Sequence, residues 1–158
     1  MFSDVAAIHN LVINGGFEAS TPPLTAPGWI SDTPFRQLDA VTDVTQPRTG
    51  LKHGECVTQT GQDCGLYQDI TIPESGNYVL TAWTNSDTVG AYVGINVTPH
   101  GSGAPSVISA PVNVGGPNNY SRFTTPVVLE AGDVVRVWLY APASPGITVI
   151  DDVELIRQ

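Results

Sequence analysis

The feature that most constrains the fold is an alternation of apolar and polar residues with a period of two. It is clear in "YVLTAWTN" (residues 78–85), "AYVGINVT" (91–98) and "VVRVWLYA" (134–141), where β-branched and aromatic residues are frequent. This period places successive side chains on opposite faces of a β-strand. The sequence therefore predicts an all-β chain.

The predicted strands lie near residues 10–14, 28–32, 35–42, 53–60, 65–72, 77–86, 90–98, 106–114, 120–129, 133–141 and 146–156. Turn-forming segments such as "PESG", "NSDTVG" and "EAGD" separate them, in a chain that contains 16 Gly and 13 Pro. A chain of 158 residues is long enough for one domain. We therefore expect a single-domain antiparallel β-sandwich of the jelly-roll type over residues 10–158, preceded by an N-terminal extension over residues 1–9.

The charge balance restricts the partners that the chain can bind. Fifteen acidic residues against six basic ones give a formal net charge of −9, which repels a phosphate backbone. No apolar run approaches the roughly 18 residues that cross a bilayer, and "MFSDVAAIHN" lacks the pattern of a signal peptide. We expect no nucleic-acid partner, no membrane insertion and no export by the general secretory route.

Three of the predicted strands carry an unusual row of side chains opposite their apolar row. The apolar rows are Tyr78, Leu80 and Ala82; Ala91, Val93, Ile95 and Val97; and Val135, Val137 and Leu139. The opposite rows contain six candidate ligand-binding residues, Trp83, Tyr92, Asn96, Arg136, Trp138 and Tyr140. Aromatic rings can stack on sugar faces while Asn and Arg donate directed hydrogen bonds. The alternative is that another sheet, a loop or a neighbouring subunit covers this row.

Cys56 and Cys64 flank the turn-like segment "TQTGQD". They can form a local hairpin disulfide in an oxidising compartment. Reduced, buried thiols are the alternative that the sequence leaves open.

The sequence contains no recognisable catalytic motif. His9, His53 and His100 have no metal-ligand spacing, which predicts turn or surface positions for them. Asp151 and Asp152 are adjacent in a predicted strand and so point to opposite faces, which excludes a facing acid and base pair. We therefore predict that the chain is not an enzyme.

Three segments, taken in order, resemble the carbohydrate-binding modules of the family 4/9/22 type. They are "NLVINGGFE", then "GLYQDITI" followed by "SGNYVLTAWTNSD", and the closing "VIDDVEL". The resemblance runs from Asn10 to Leu155 and implies a jelly roll of the galactose-binding-like class. It also implies a glycan on the concave sheet face or at the loops of one end, with Trp29 or Tyr67 at the rim. Phage structural proteins carry similar modules.

The resemblance further implies a structural calcium ion. Carried over by position, its ligands are Glu18, the carbonyl of Gly16, a carbonyl within Leu51 to Gly54 such as that of His53, and Asp151 or Asp152. Calcium prefers six to eight oxygen ligands, which such a set can supply. Asp151 is the favoured aspartate, since parity places it with apolar Val149, Val153 and Leu155. The alternative is that Glu18 and Asp151 are surface or turn residues without a metal.

Two non-enzymatic functions follow from these observations. In the first, the chain is a structural, decoration or adhesion protein on the surface of a phage particle or other assembly, with glycan or capsid proteins as partners. In the second, it is an extracellular glycan-binding module that targets a glycoside hydrolase to polysaccharide. Its own Met1 and the absence of a signal peptide or linker favour the first. Either function is compatible with a homo-oligomer.

Overall fold

The structure is a computed structural model that describes residues 9–21, 26–31, 47–115 and 118–158, together with the backbone of residues 36–39. Within these ranges it contains ten β-strands, which are β1 (Ile30–Ser31), β2 (Arg36–Asp39), β3 (His53–Thr58), β4 (Cys64–Thr71), β5 (Gly76–Ser86), β6 (Tyr92–Thr98), β7 (Ser106–Pro111), β8 (Ser121–Leu129), β9 (Val134–Ala141) and β10 (Gly146–Arg157). The predicted N-terminal extension, apart from His9, lies outside the described residues.

The strands form two five-stranded antiparallel sheets. Sheet I has the order β1-β4-β9-β6-β7, and sheet II has the order β2-β3-β10-β5-β8. This arrangement confirms the predicted all-β jelly-roll sandwich. Within the described ranges there is no helix long and apolar enough to span a membrane.

The apolar rows predicted from the alternation form the core between the two sheets. Every residue of the three rows, from Tyr78 in β5 to Leu139 in β9, is buried. Ile150, Val153 and Leu155 of β10 join the same cluster. The alternation with a period of two predicts the core correctly because each sheet buries one of its faces against the other sheet.

The predicted strand at residues 10–14 is wrong. Asn10 makes an isolated bridge to Ile156, and the following residues form turns in which Asn14 has a positive φ of 53°. The side-chain amide of Gln68 holds this segment by accepting from the Ile13 main-chain N–H at 2.8 Å and donating to its carbonyl at 2.9 Å. The apolar residues of "LVI" therefore belong to a turn, in which Val12 is buried and Ile13 is 63% exposed, and not to a strand.

The Gly-Gly step lets this N-terminal turn approach β10. The Val153 N–H donates to the Gly15 carbonyl at 3.0 Å, and a side chain at position 15 would collide with the Val153 carbonyl. Phe17, just beyond, is fully buried and stacks on Trp29 with 4.9 Å between the ring centroids. Trp29 therefore belongs to the core and not to the rim of a binding site.

Cys56 and Cys64 form a disulfide. The chain crosses from sheet II to sheet I between the two cysteines, because Cys56 is in β3 of sheet II and Cys64 is in β4 of sheet I. The bond thus joins the two sheets and does not close a hairpin within one sheet.

A β-bulge interrupts β10 between Asp151 and Glu154. The bulge changes the parity of the strand, since Asp151 pairs with Trp83 on the outer face while Val153 and Leu155 lie in the core. The expectation that Asp151 shares a face with Val153 and Leu155 is therefore wrong.

Candidate functional site

The candidate site lies on the outer face of sheet I, where β9 is the central strand. Its outward side chains are Arg136, Trp138 and Tyr140, which alternate with the buried Val135, Val137 and Leu139. In register with them on β6 are Asn96, Gly94 and Tyr92, and on β4 are Asp69, Tyr67 and Gly65. Five of the six predicted ligand-binding residues therefore share one face, the exception being Trp83.

Trp138 is held in a fixed position across β6. Its indole Nε1 donates a hydrogen bond to Asn96 Oδ1 at 2.7 Å. The neighbouring residue on β6 is Gly94, and a Cβ atom there would lie only 2.7 Å from Trp138 Cζ2. The missing side chain of Gly94 makes room for the ring, and the amide of Asn96 fixes its orientation.

Arg136 is committed to partners within the sheet. Its Nε and a terminal nitrogen donate to the two carboxylate oxygens of Asp69 at 2.7 and 2.9 Å, and its guanidinium lies 3.9 Å from the centroid of the Tyr67 ring. The hydrogen bond from Arg136 is the main cause that holds the pKa of Asp69 below its usual value. The pair is therefore charged but neutral overall at physiological pH.

These side chains line an open groove of about 310 Å³. Its walls and floor are Gly65, Leu66, Tyr67, Asn96, Val107, Arg136, Trp138, Leu139 and Tyr140. Tyr140 is 37% exposed, and its pKa is raised by partial burial and by the nearby Asp63 carboxylate. Tyr92 lies opposite Tyr140 in the sheet and is 41% exposed, although it is not part of the lining. We call this surface the groove face.

Several groove residues were not singled out in the sequence. Asp69, Gly94 and Val107 belong to the groove face together with Tyr67, which had been expected only at a rim. The outward parity of Tyr67 and Asp69 in "GLYQDITI" is a signal that could have identified them. Nothing local in the sequence marks β4 as the neighbour of β9, because strand order is a long-range property.

Trp83 lies elsewhere, on the outer face of sheet II. The Arg48 guanidinium covers its ring at 3.6 Å from the centroid, and the same guanidinium donates to Asp152 Oδ2 at 2.8 Å. Trp83 therefore cannot act together with Trp138, from which the thickness of the sandwich separates it.

Around Trp83 the outer face of sheet II buries several polar side chains. Asp151 and His53 are fully buried, Glu55 is nearly so, and Tyr120 is half-buried. Burial raises the pKa of Asp151 to about 7, helped by the charge of Asp152. Burial and these carboxylates likewise raise the pKa of Tyr120. We call this region the covered face.

The three histidines differ in their surroundings. His53 is buried in β3 rather than at a turn or surface, and its ring nitrogens have no hydrogen-bond partner in the described part of the chain. His100 is exposed and its Nδ1 lies 2.9 Å from Asp133 Oδ1, a hydrogen bond that raises the pKa of His100. His100, Glu130 and Asp133 are the one group of three such side chains, within the described ranges, close enough to share an ion.

The residues predicted to hold calcium are only partly brought together. Glu18 and Asp152 flank Gly16, because a Cβ atom on Gly16 would lie 4.0 Å from Glu18 Cγ and 3.7 Å from Asp152 Oδ1. Asp151 instead accepts hydrogen bonds from the main-chain N–H groups of Arg48 at 2.9 Å and Asp152 at 2.8 Å. Glu18 Oε1 accepts from the main-chain N–H groups of Leu51 and Lys52, and Asp152 accepts from the Arg48 guanidinium and the Thr49 hydroxyl, so both carboxylates near Gly16 already have protein partners.

No protein-family model matches the chain. No curated protein matches its sequence either.

Solved structures nevertheless share its fold over nearly the whole chain. The family 61 carbohydrate-binding module TmCBM61, solved in complex with β-1,4-galactotriose, has 18% identity and a TM-score of 0.72, covering 95% of this chain and 99% of that one. A family 16 carbohydrate-binding module has 17% identity and a TM-score of 0.65, with coverage of 94% and 100%.

A viral protein shows a similar likeness. Tailspike protein 4 of bacteriophage CBA120, in its enzymatically active domain, has 14% identity and a TM-score of 0.69. The match covers 92% of this chain but only 21% of the tailspike chain. The predicted resemblance is confirmed at the level of fold, and the chain has the jelly-roll sandwich fold of carbohydrate-binding modules.

Proposed function

We propose that the chain binds a glycan in the groove face and has no catalytic role. The observation that carries this proposal is Trp138, which is fixed by Asn96 and Gly94 beside the partly exposed ring of Tyr140. Pre-oriented rings offer a sugar a flat apolar surface without loss of side-chain entropy on binding. The likeness to a module solved with β-1,4-galactotriose supports the proposal.

The charges of the groove favour a neutral glycan. Of the residues that the structure describes, Arg136 is the one basic residue that lines the groove. Its guanidinium already donates hydrogen bonds to both carboxylate oxygens of Asp69. A uronic acid carboxylate would have to displace Asp69, and the formal net charge of −9 adds long-range repulsion. We therefore expect neutral hexose or pentose polymers to bind and polyuronates not to bind.

Affinity electrophoresis against a panel of polysaccharides tests this function. The panel should contain β-1,4-galactan, xylan and β-glucan as neutral polymers, and polygalacturonate as the acidic control. Retardation by a neutral polymer that Trp138→Ala abolishes would support the proposal. The proposal would be contradicted if no polymer slowed the wild-type chain relative to a gel without polymer. It would also be contradicted if the retardation persisted in Trp138→Ala.

For its setting, we propose display on the surface of a phage particle or other assembly, as a decoration or adhesion protein that contacts capsid or other assembly proteins. The likeness to part of a phage tailspike supports this setting, because that protein contains the same fold within a larger chain. Antibodies against the chain should label intact purified particles in electron micrographs. Absence of label on particles that do carry their other surface proteins would contradict this setting.

The alternative setting is extracellular, as a module that targets a glycoside hydrolase to polysaccharide. The likeness to complete carbohydrate-binding modules supports it, since those matches cover 99% and 100% of the other chains. The two settings differ in where the chain is found. Recovery with a polysaccharide-degrading activity from culture medium would favour the hydrolase, and recovery with particles would favour the assembly.

We also propose that a structural calcium ion binds between Glu18 and Asp152, near the carbonyl of Gly16. Support comes from the position of Glu18 and Asp152 on either side of Gly16, and the ion would have to share or replace the hydrogen bonds that their carboxylates already accept. The Lys52 ammonium group, which donates to the Ser20 carbonyl at 2.6 Å and the Glu18 carbonyl at 3.2 Å, competes for oxygen ligands there. Chelation should lower the melting temperature by several degrees if the ion contributes about 2 kcal/mol. An unchanged melting temperature after chelation would remove the ion from the account.

A further inference from the structure

Strand β7 is an edge of sheet I with little of the usual protection against pairing with another chain. Edge strands normally avoid such pairing through short length, charged side chains, proline or a covering segment. The other described edges follow this rule, since β1 has two residues, β2 has four, and β8 contains the exposed Arg122 and, near its middle, Pro126. In β7, by contrast, five of six residues are exposed, none is charged, and the proline, Pro111, stands at the very end of the strand.

The absence of charge extends well beyond the strand. Residues 101–121 contain no Asp, Glu, Lys or Arg, although the whole chain has 21 such residues. The strand also exposes apolar side chains on both faces, with Val107 59% exposed at the groove and Ile108 36% exposed on the side of the core. Ile108 pairs with the fully buried Ile95, so its exposure arises because no strand lies beyond it.

We propose that β7 is a homodimer interface, in which the β7 strands of two copies pair antiparallel about a two-fold axis. A second copy fits better than an unrelated partner because two highly acidic chains can approach each other at β7 without bringing like charges face to face. The register that places Ile108 opposite Ile108 also pairs Ser106 with Ala110 and Val107 with Ser109. This register brings the two exposed isoleucines into contact and leaves no charged pair at the interface.

The pairing would have a geometric consequence for the groove face. An antiparallel pair about an axis perpendicular to the sheet keeps equivalent faces on the same side. The dimer would therefore form one ten-stranded sheet with two grooves open on one side, next to the shared edge. Two adjacent grooves would bind a long polymer more tightly than a short oligosaccharide, because the second contact becomes intramolecular.

Light scattering on the wild-type chain between about 1 and 200 μM tests the interface, since interfaces of modest area dissociate in the micromolar range. We expect a monomer to dimer transition in which Ile108→Lys raises the dissociation constant about tenfold or more, because two like charges then face each other. The matched control is Val128→Lys on edge strand β8, where Val128 is 77% exposed, and it should leave the transition unchanged. A wild-type chain that stays monomeric throughout would overturn the proposal.

A covalent test keeps the proposal falsifiable if Ile108→Lys disturbs folding. Oxidised Ile108→Cys should form a disulfide-linked dimer, since directly opposed residues place their Cβ atoms within about 4.5–5.5 Å of each other. Val128→Cys should remain monomeric under the same conditions. Equal crosslinking of both variants, or of neither, would contradict pairing through β7.

Binding of a short oligosaccharide separates this inference from the proposed function. Ile108→Lys should leave that affinity unchanged, because Ile108 is not part of the groove lining. Retention on a long polymer should fall. An equal loss of affinity for both ligands would mean that the substitution disturbs the groove, and the dimer would then rest on crosslinking alone.

Discussion

On the groove face of sheet I, Trp138 and Tyr140 stand in an open groove, whereas on the covered face of sheet II, Trp83 lies beneath Arg48. Both faces come from strands with the same alternation of apolar residues with aromatic and polar ones. The difference lies in what packs over them, since Arg48 lies over Trp83 and the polar groups His53, Glu55 and Asp151 on sheet II are buried. The comparison teaches that parity identifies an outward side chain but not its accessibility.

The sharpest test of this comparison exchanges each tryptophan for alanine. Trp138→Ala should weaken glycan binding by about 2 kcal/mol, or roughly 30-fold, because the groove loses its fixed apolar surface. Trp83→Ala should leave glycan affinity unchanged and lower the melting temperature, because Arg48 loses the ring on which it packs. Isothermal titration and thermal unfolding measure the two effects. Loss of affinity in Trp83→Ala with an unchanged Trp138→Ala would reverse the assignment of the faces.

On the covered face, the acid that responds to pH is Asp151. Its pKa in the folded chain is about 7, above the usual 3.8, so the folded state binds more protons than the unfolded state between these values. Stability should therefore decrease as pH rises from 4 through 7, by about 2–3 kcal/mol between pH 5 and 7.5. Asp151→Asn should flatten this dependence in urea unfolding. An equally steep dependence in the variant would assign it to other groups.

Within the groove, Asn96 should act mainly by holding Trp138. Asn96→Leu keeps the approximate side-chain shape and removes the acceptor for the indole N–H, so we expect about a fivefold loss of affinity, or roughly 1 kcal/mol. The indole proton of Trp138 should then exchange faster with solvent, which nuclear magnetic resonance measures. Slow exchange together with lost affinity would instead mean that Asn96 contacts the glycan directly.

The smallest effect is expected at the pair of Asp69 and Arg136. Because the pKa of Asp69 lies below its usual 3.8, the carboxylate stays charged as pH falls and the pair breaks only in stronger acid. Glycan affinity should therefore be constant from pH 8 to 5. Asp69→Asn should weaken binding by at most about 1 kcal/mol, since the pair is exposed, and should admit acidic glycans. Continued exclusion of polygalacturonate by this variant would contradict the role given to Asp69.

Much of the fold could be predicted from the sequence because each sheet buries one face. The core rows in β5, β6 and β9 follow directly from that alternation. The segment 10–14 could not be predicted in the same way, because Gln68, more than fifty residues away, satisfies the main chain of Ile13. Part of the predicted strand 35–42 lies outside the described residues.

For the candidate site, the alternation along each strand predicted only which face of the strand a side chain occupies. Parity placed Asn96, Arg136 and Trp138 correctly on an outer face, and β6 and β9 proved to be neighbours. It could not reveal that β5 belongs to the other sheet, which removes Trp83 from the groove. Nor could it reveal the bulge after Asp151, which shifts the faces of β10 and changes the aspartate that flanks Gly16.

The most direct test of the account uses the three tryptophans of the chain, Trp29, Trp83 and Trp138, as reporters in one titration. Their indole N–H resonances should be followed while a neutral oligosaccharide that retains the protein is added. The account predicts a large shift for Trp138 and little change for Trp83 under Arg48 or for the buried Trp29. A shift confined to Trp83, with Trp138 unmoved, would contradict the assignment of glycan binding to the groove face.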